Sequence, residues 1–565
     1  MISVTPSGSI YLCKTPLIND YKNQLTFSNA AAQLTYFTSV VNFSFDNYTY
    51  VKKDNVIKVG KNIDDIIGCN YLFYRNTGFT SKYYFCFITN MEYVNENCTA
   101  ITIETDCFQT YQFDITYKRC FVEREHVSDD TIGLHTIDEG IDTGEIIQQD
   151  YTDDTSFQNH WIVVECEWNP YTGKRFDGVS LTNGNFQAFP YYFIKYNRPM
   201  GTSPNAYSNL TWFLLCVASG KGTNFDDVTT ANIEYIKNIF IVPQACISES
   251  DLTKRDITGN AFYDSFSYYE CTASFNNSEF SMNIPKLHSF SDGNNTVTIK
   301  NNKCYCYPYN YLFLSNNIGN QNIYKYEYFN DNTNATFKFI GSVAVGASGK
   351  MLPTNYKGMS NNWDESVPLP KYPVCSWSGD AFTNWLTQNA VNMATNIVGI
   401  GSGVTQSANK QVAKSETGSL SSSGAIGIGT SIAGAIMGAF SSYYSARLLP
   451  NIQGGQNTAD VNFAANINTF VFHRMRSKTE YITKIDNYFS MFGYKVNDVK
   501  IPNTTGRPNW NYVKTLNCNF VGNNIPQQNL NIIRSMFDNG VTLWHNPTTM
   551  YDYSQNNAIP APSSN

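Results

Sequence analysis

Between Lys82 and Phe108 the chain reads KYYFCFI (82–88), a polar break, then ITIETDCF (101–108). In an extended chain successive side chains point to opposite faces. Short runs rich in aromatic and β-branched residues, bounded by polar breaks, therefore mark strands joined by turns. LTYFTSVVNFSF (34–45) has the same texture, and residues 1–128 as a whole read as a strand-rich domain. YYFIKY (191–196), WFLLCVA (212–218) and IFIVP (239–243) continue it as candidate core strands through 129–300. YCYPYNYLFL (305–314) and FKFIGSVAV (337–345) do so within 301–380. Composition agrees. Aromatics make up 15% of the 565 residues and charged residues only 15%, against about 25% charged in ordinary soluble proteins. Sheet-forming residues with few charges favour β structure. The expected fold class is mainly β with some α, in several domains.

The helical exceptions lie near the C-terminus. Tyr481, Ile482, Ile485, Tyr488, Phe489 and Phe492 fall on one helical face, and Gly493 then ends it. Leu530, Ile533, Met536 and Phe537 form a second, shorter stripe ending at Asn539-Gly540. Residues 447–565 are thus expected to form a C-terminal part with short helices.

Residues 381–446 differ from everything around them. No charge occurs from Ala381 to Asn409 or from Thr417 to Ala446; Lys410, Lys414 and Glu416 sit between. The pattern is an apolar hairpin with a polar tip. Its second arm, GAIGIGTSIAGAIMGAF (424–440), would span about 26 Å as a helix, slightly less than a ~30 Å bilayer core. Ile426, Ile428, Ile432, Ile436, Met437 and Phe440 supply its apolar surface, while Gly434, Gly438 and Ser442 form a small-residue row of the kind that lets helices approach closely in lipid. Two readings follow from the pattern: a hairpin buried between subunits, or a segment that enters a membrane on demand.

Net charge is −7. A nucleic-acid-binding protein needs a basic stripe to neutralise phosphates, and the sequence has none. Tight DNA binding is not expected. The 14 cysteines are mostly single and set in apolar runs, as buried free thiols are; Cys304 and Cys306 form only a weak metal signal. The opening MISVTPSGSIYLCK lacks a basic region followed by an apolar one, so no secretory signal is expected.

The densest ionisable cluster is FVEREHV (121–127) with HTIDEG (135–140). Arg124, Glu125, His126, Asp138 and Glu139 lack the H-E-x-x-H spacing that puts two imidazoles on one helical face. They read as structural or subunit-interface scaffolding, with a metal site as the lesser alternative. Acid pairs such as Asp153-Asp154 and Asp226-Asp227 would suit glycoside cleavage only with a partner across a cleft, and Asp292-Gly293-Asn294 is a turn signal rather than a calcium loop. No catalytic residue, cofactor or metal is expected.

Seven blocks resemble the distal tail-knob proteins of short-tailed phages (podoviruses) that infect Gram-positive bacteria. In order they are NDYKN (19–23), ETDCFQTYQFDI (104–115), FVEREHV (121–127), HTIDEG (135–140), FGYKVNDVKIPN (492–503), NYVKT (511–515) and MFDNGVTLWH (536–545). The resemblance implies a homohexameric tube at the tail tip, with barrel-like tube domains from 1–128 and 447–565. Residues 129–300 would form an inserted outer domain and 301–380 a return toward the tube. Residues 381–446 would then be the hydrophobic loop that plugs the lumen and, once released, meets the host membrane. Collar and appendage proteins, and genomic DNA sliding through the lumen, are the implied partners; the virion tail is the implied location, after synthesis in the host cytoplasm. A receptor-binding adhesin for cell-wall glycans, in residues 145–370, is the main alternative; a tail-associated wall hydrolase is the other.

Overall fold

The computed structural model describes residues 8–48, 55–76, 81–153, 159–175, 180–182, 185–187, 190–197, 209–210, 212–213, 216–217, 235–259, 265–271, 278–316, 319–341, 349–369, 375–378 and 470–559. The described chain is mainly β with few helices. It divides into two compact units. The first holds residues 1–146, 289–309 and 477–565; the second holds 147–288 and 310–476. These limits differ from the expected boundaries at 128, 300, 380 and 446. The first unit runs on to residue 146 and takes in 289–309, because chain contacts, not sequence texture, define it.

In the first unit a six-stranded sheet runs in the order Val41–Tyr48, Gly8–Cys13, Tyr71–Asn76, Tyr83–Asn95, Cys98–Thr105, Val56–Val59. All its pairs are antiparallel. The KYYFCFI run is apolar at both parities because both faces of this sheet are covered. One face packs Ile10, Leu12, Leu72, Cys86 and Ile101. The other packs Tyr71, Phe73, Phe85 and Phe87 against Phe37, Trp510 and Trp544.

The second sheet of this unit ties the two ends of the chain together. Its order is Asn23–Leu25, Val541–Trp544, Trp510–Leu516, Cys120–Glu125, Tyr494–Lys500. Only the first pair is parallel, with Asn23 opposite Thr542. The helix Gln527–Asn539 covers it through Ile533, Met536 and Phe537, which meet Val122, Val513 and Leu543.

The helix Thr479–Phe492 buries Ile482, Ile485 and Phe489 and ends at Gly493, φ 63°. Gln527–Asn539 ends at Gly540, φ 90°. Two expected strands are helical in part or in their described residues. Of 34–45, the residues up to Ser39 belong to the helix Ala30–Ser39, capped by the Asn29 side chain, while Val41–Tyr48 is a strand as expected; of 212–218 the described Trp212, Phe213, Cys216 and Val217 are helical. Alternating Leu34, Tyr36 and Thr38 imitate a strand, but Asn29 and three alanines start a helix first.

In the second unit a six-stranded antiparallel sheet runs Leu252–Ile257, Phe266–Cys271, Tyr191–Asn197, Asn159–Cys166, Ile236–Pro243, Cys375–Ser378. Trp161, Val163, Phe193, Val242 and Tyr269 form a core on it. Two further sheets are built around Asn334–Gly341 and around Asn310–Ser315 with Val471–Ser477. In the 289–309 segment of the first unit, the Asp292-Gly293-Asn294 signal is the turn of a small hairpin, with Gly293 at φ 59°.

Candidate functional site

The cluster seen in FVEREHV and HTIDEG is a buried ionic seam inside the first unit. Cys120–Glu125 lies between Tyr494–Lys500 and Trp510–Leu516. Sheet alternation sends Cys120 and Val122 to the apolar core, while the end of the strand carries the charges.

Arg124 donates from Nη1 to the Gly493 carbonyl at 2.7 Å, pairs through Nη2 with Glu139, and lies over the Tyr488 ring at 5.1 Å. The Glu139 side chain is fully buried. It also pairs with Lys303 Nζ and accepts the Lys495 amide at 3.0 Å. Lys303, itself 3% exposed, donates further to the Ile137 carbonyl at 2.8 Å. Burial holds its ammonium below the ordinary lysine range, with Glu139 pulling the other way. One carboxylate is thus flanked by two cations and a backbone amide.

The Glu125 side chain, also fully buried, pairs with Lys500 Nζ at 2.5 Å and accepts the Asn503 amide at 2.7 Å. His126 has both ring nitrogens engaged. Nδ1 accepts the Tyr512 amide at 2.7 Å, and that fixes Nε2–H as the donor to the Ser490 carbonyl at 3.2 Å. Trp510 Nε1 donates to the same carbonyl at 2.8 Å. Ser490 lies in the last helical turn, where carbonyls lose their intrahelical partners, so two ring N–H groups close that end. Burial, aided by the Arg507 charge, lowers the His126 pKa to about 3; this imidazole is neutral. Asp138 is not brought into the seam: it is exposed and accepts the Gly140 amide at 2.9 Å.

Sequence reasoning missed several participants. Asp486 accepts the Asn301 amide at 2.9 Å and the Lys300 amide at 3.1 Å. Asp130 accepts the Tyr494 hydroxyl at 2.6 Å and the Asn302 amide at 3.2 Å, and burial raises its pKa. Asp486 did carry a signal. It stands four residues after Ile482 and three before Phe489, an acid inside the apolar stripe. Lys303, Asp130 and Arg507 match no motif, and their partners come from distant parts of the chain.

Chemically the seam is a clasp. Its carboxylates face cations and amides, and its imidazole has no free nitrogen. Among the described residues no group of three or more His, Cys, Asp or Glu converges as a metal site, and no helix is long and apolar enough to cross a membrane. Ile426, Ile428, Ile432, Gly434, Ile436, Met437, Gly438, Phe440 and Ser442 lie outside the described residues, as do Asp154, Asp226 and Asp227.

Comparison with known proteins agrees with this architecture. Residues 7–117 match the family described as Caudoviral major tail protein N-terminus. Residues 273–558 match the family described as Bacillus phage phi29, Tail knob protein gp9, C-terminal domain. The fold matches that of the bacteriophage C1 tail knob protein, gp12, at TM-score 0.62 and 15% identity, over 98% of this chain and 100% of that one. The tail knob protein gp9 of Bacillus phage B103 is 26% identical over 96% of this chain and 97% of its own length. Its namesake in Bacillus phage phi29 is 23% identical over 94% and 96%.

The protein is a structural component of a phage tail, carried in the virion. More particularly, the chain belongs to the tail knob protein gp9 family of the podophages.

Proposed function

We propose that the first unit assembles with copies of itself, as a homohexamer, into the wall of a tube at the tail tip through which DNA leaves, and that residues 381–446 plug this tube until they are released toward the host membrane. The observation that carries the reading is an exposed apolar row. Leu516 faces Phe121, and Phe121 faces Val499, across three neighbouring strands. Residues directly opposite on adjacent strands share a face. These three are 58%, 36% and 52% exposed, an apolar ladder of a kind that marks a protein contact. Its last member, Val499, stands on the edge strand Tyr494–Lys500, and assembly of sheets into a closed tube removes such edges.

Charge supports the conduit. Six copies at −7 carry roughly −42, a field that repels phosphate and lets DNA slide. The nearly uncharged 381–446 segment supports the plug, since its glycines make it a weak helix in water and lipid rewards its apolar surface. On this reading the seam of Arg124, Glu125, His126 and Glu139 is scaffolding for the tube wall, and collar and appendage proteins are its neighbours.

The test is oligomeric state by light scattering and negative-stain imaging. A six-fold ring with an axial channel is the expected result. Leu516→Lys should disperse the ring while leaving the melting of the dispersed protein unchanged. A ring unaffected by this change removes the apolar row from the interface. For the plug, Gly434→Leu with Gly438→Leu in the full chain should reduce leakage from liposomes; unchanged leakage rejects helix contact through that row.

A further inference from the structure

Behind the His126 ring lies a cavity of about 20 Å³, lined among others by His126, Asn301, Ser490, Arg507, Trp510 and Asn557. It has room for one small occupant, since a single water needs roughly 10–15 Å³. Arg507 is 5% exposed. Its Nη1 reaches the Asn557 carbonyl at 3.4 Å, but its Nε–H is buried and meets no hydrogen-bond partner among the described residues. No ion pair joins the guanidinium to a carboxylate among those residues. The acid whose field it feels is Asp130, and that carboxylate is already engaged by the Tyr494 hydroxyl and the Asn302 amide.

Three of the surrounding acceptors are spent. His126 Nδ1 takes the Tyr512 amide. The Ser490 carbonyl takes two ring N–H groups. Asn557 Oδ1 takes the amides of Asn509 and Trp510 at 2.8 and 3.1 Å. A water placed here would satisfy Arg507 Nε but bring no charge to set against a buried guanidinium that has no ion pair among the described residues, and burying a charge without a paired counter-charge is unfavourable. An anion needs no acceptor and cancels the charge.

We propose that this cavity binds one monatomic anion of chloride size, held by Arg507 Nε, which fastens the segment Gln555–Ala558 onto the corner at Asn509 and Trp510. The segment already lies there through Asn557 Nδ2 to the Trp510 carbonyl, 2.8 Å, and Asn509 Nδ2 to the Asn556 carbonyl, 2.8 Å. A ligand that binds only the folded state raises stability with the logarithm of its concentration.

The experiment is thermal unfolding of the full chain in a chloride series, with ionic strength held constant by gluconate, an anion too large for the cavity. The melting temperature should rise with log chloride and stay flat in gluconate, and Arg507→Gln should abolish the chloride response. Should that variant fail to fold, crystals of the unaltered protein soaked in bromide decide: an anomalous peak within hydrogen-bonding distance of Arg507 Nε is expected. Absence of the peak overturns the proposal whatever the melting shows. So does a peak without any chloride response in melting, which is binding at soak concentration only.

Discussion

Glu139→Ala puts the buried seam to its hardest test. The lost carboxylate pairs with Arg124 and Lys303 and accepts the Lys495 amide. Alanine leaves Lys303, 3% exposed, with one neutral acceptor, the Ile137 carbonyl. It also leaves the Lys495 amide without this acceptor. Removing one member of a buried ion pair costs about 3–5 kcal/mol, and the half-buried Lys495 amide adds about 1 kcal/mol, the low end for an orphaned donor. Together, about 4–6 kcal/mol is expected. At ~2–4 °C per kcal/mol for a domain of this size class, melting falls by about 10–20 °C. Asp138→Ala, one residue away, removes only an exposed acceptor for the Gly140 amide and should cost less than about 1 kcal/mol. The assay is thermal unfolding followed by tryptophan fluorescence, since Trp510 and Trp544 are fully buried in the same unit. Adding Lys303→Met to Glu139→Ala removes the stranded cation and places an apolar chain beside Phe489 and Tyr494; at least half the loss should return. Melting of Glu139→Ala within ~2 °C of the unaltered protein, or an equal loss in Asp138→Ala, refutes the clasp.

Gly493→Ala should be nearly as damaging. At φ 63° its Cβ would meet the Glu125 carbonyl oxygen at 2.2 Å, so left-handed strain and overpacking together cost about 2–5 kcal/mol, measurable as a shifted urea midpoint. The pH profile carries two opposed slopes. Burial raises the Asp106 pKa to about 7, so its contribution is full below the unfolded value near ~4 and lost as pH rises through 7. His126, lowered to about 3, contributes fully above the ordinary ~6.5, and that contribution is lost as pH falls toward 3. Asp106→Asn, which still offers Oδ1 to the Gln109 amide but gives up the oxygen that accepts the Tyr71 hydroxyl, should therefore gain stability relative to the unaltered protein as pH rises through 7. It should also lose stability more steeply below pH 6.5, in urea titrations across pH. A parallel pair of profiles contradicts the Asp106 assignment. His126→Ala deprives the Tyr512 amide of its acceptor and should cost about 2–4 kcal/mol, read by the same titration at pH 7.

Legibility in the sequence followed the range of the forces. The helix Thr479–Phe492 was legible because its stripe and its terminating Gly493 lie within one window. The strands Tyr83–Asn95 and Cys98–Thr105 were legible because a hairpin is local. The first half of 34–45 was misread because Leu34, Tyr36 and Thr38 alternate like a strand, although Asn29 capping Ala32 at 2.9 Å was a local clue; the second half is the strand Val41–Tyr48. Within the seam, Arg124, Glu125 and Glu139 drew notice because they fall in two charged blocks, 121–127 and 135–140, close together in the sequence. Lys303 and Asp130 did not, because each has partners more than a hundred residues away. Asp138 was grouped with Glu139 by proximity alone, yet a single step along the loop sends one acid to solvent and the other into the core.

The placement of the seam follows from how the chain is routed. It leaves the first unit after Ile146 and again after Tyr309, and returns at Ser289 and Ser477. Closing such long excursions costs entropy that grows only slowly with their length, so two large insertions are tolerable if each return lands in register. Apolar contacts alone permit slippage, whereas a buried charge tolerates only the register that supplies its partners. The seam takes one member from each segment of the unit. Arg124 and Glu139 come from the first, Lys303 from the second, and the Lys495 amide from the third. Asp486 from the third segment grips Lys300 and Asn301 of the second, and Asp130 of the first joins Asn302 and Tyr494. A register error of one residue at either return would bury Glu139 or Asp486 without its cation or amide. The seam therefore selects the correct three-way junction, and it stands on the same sheet as the Leu516–Phe121–Val499 row, so a misregistered return would also displace the surface that we assign to assembly.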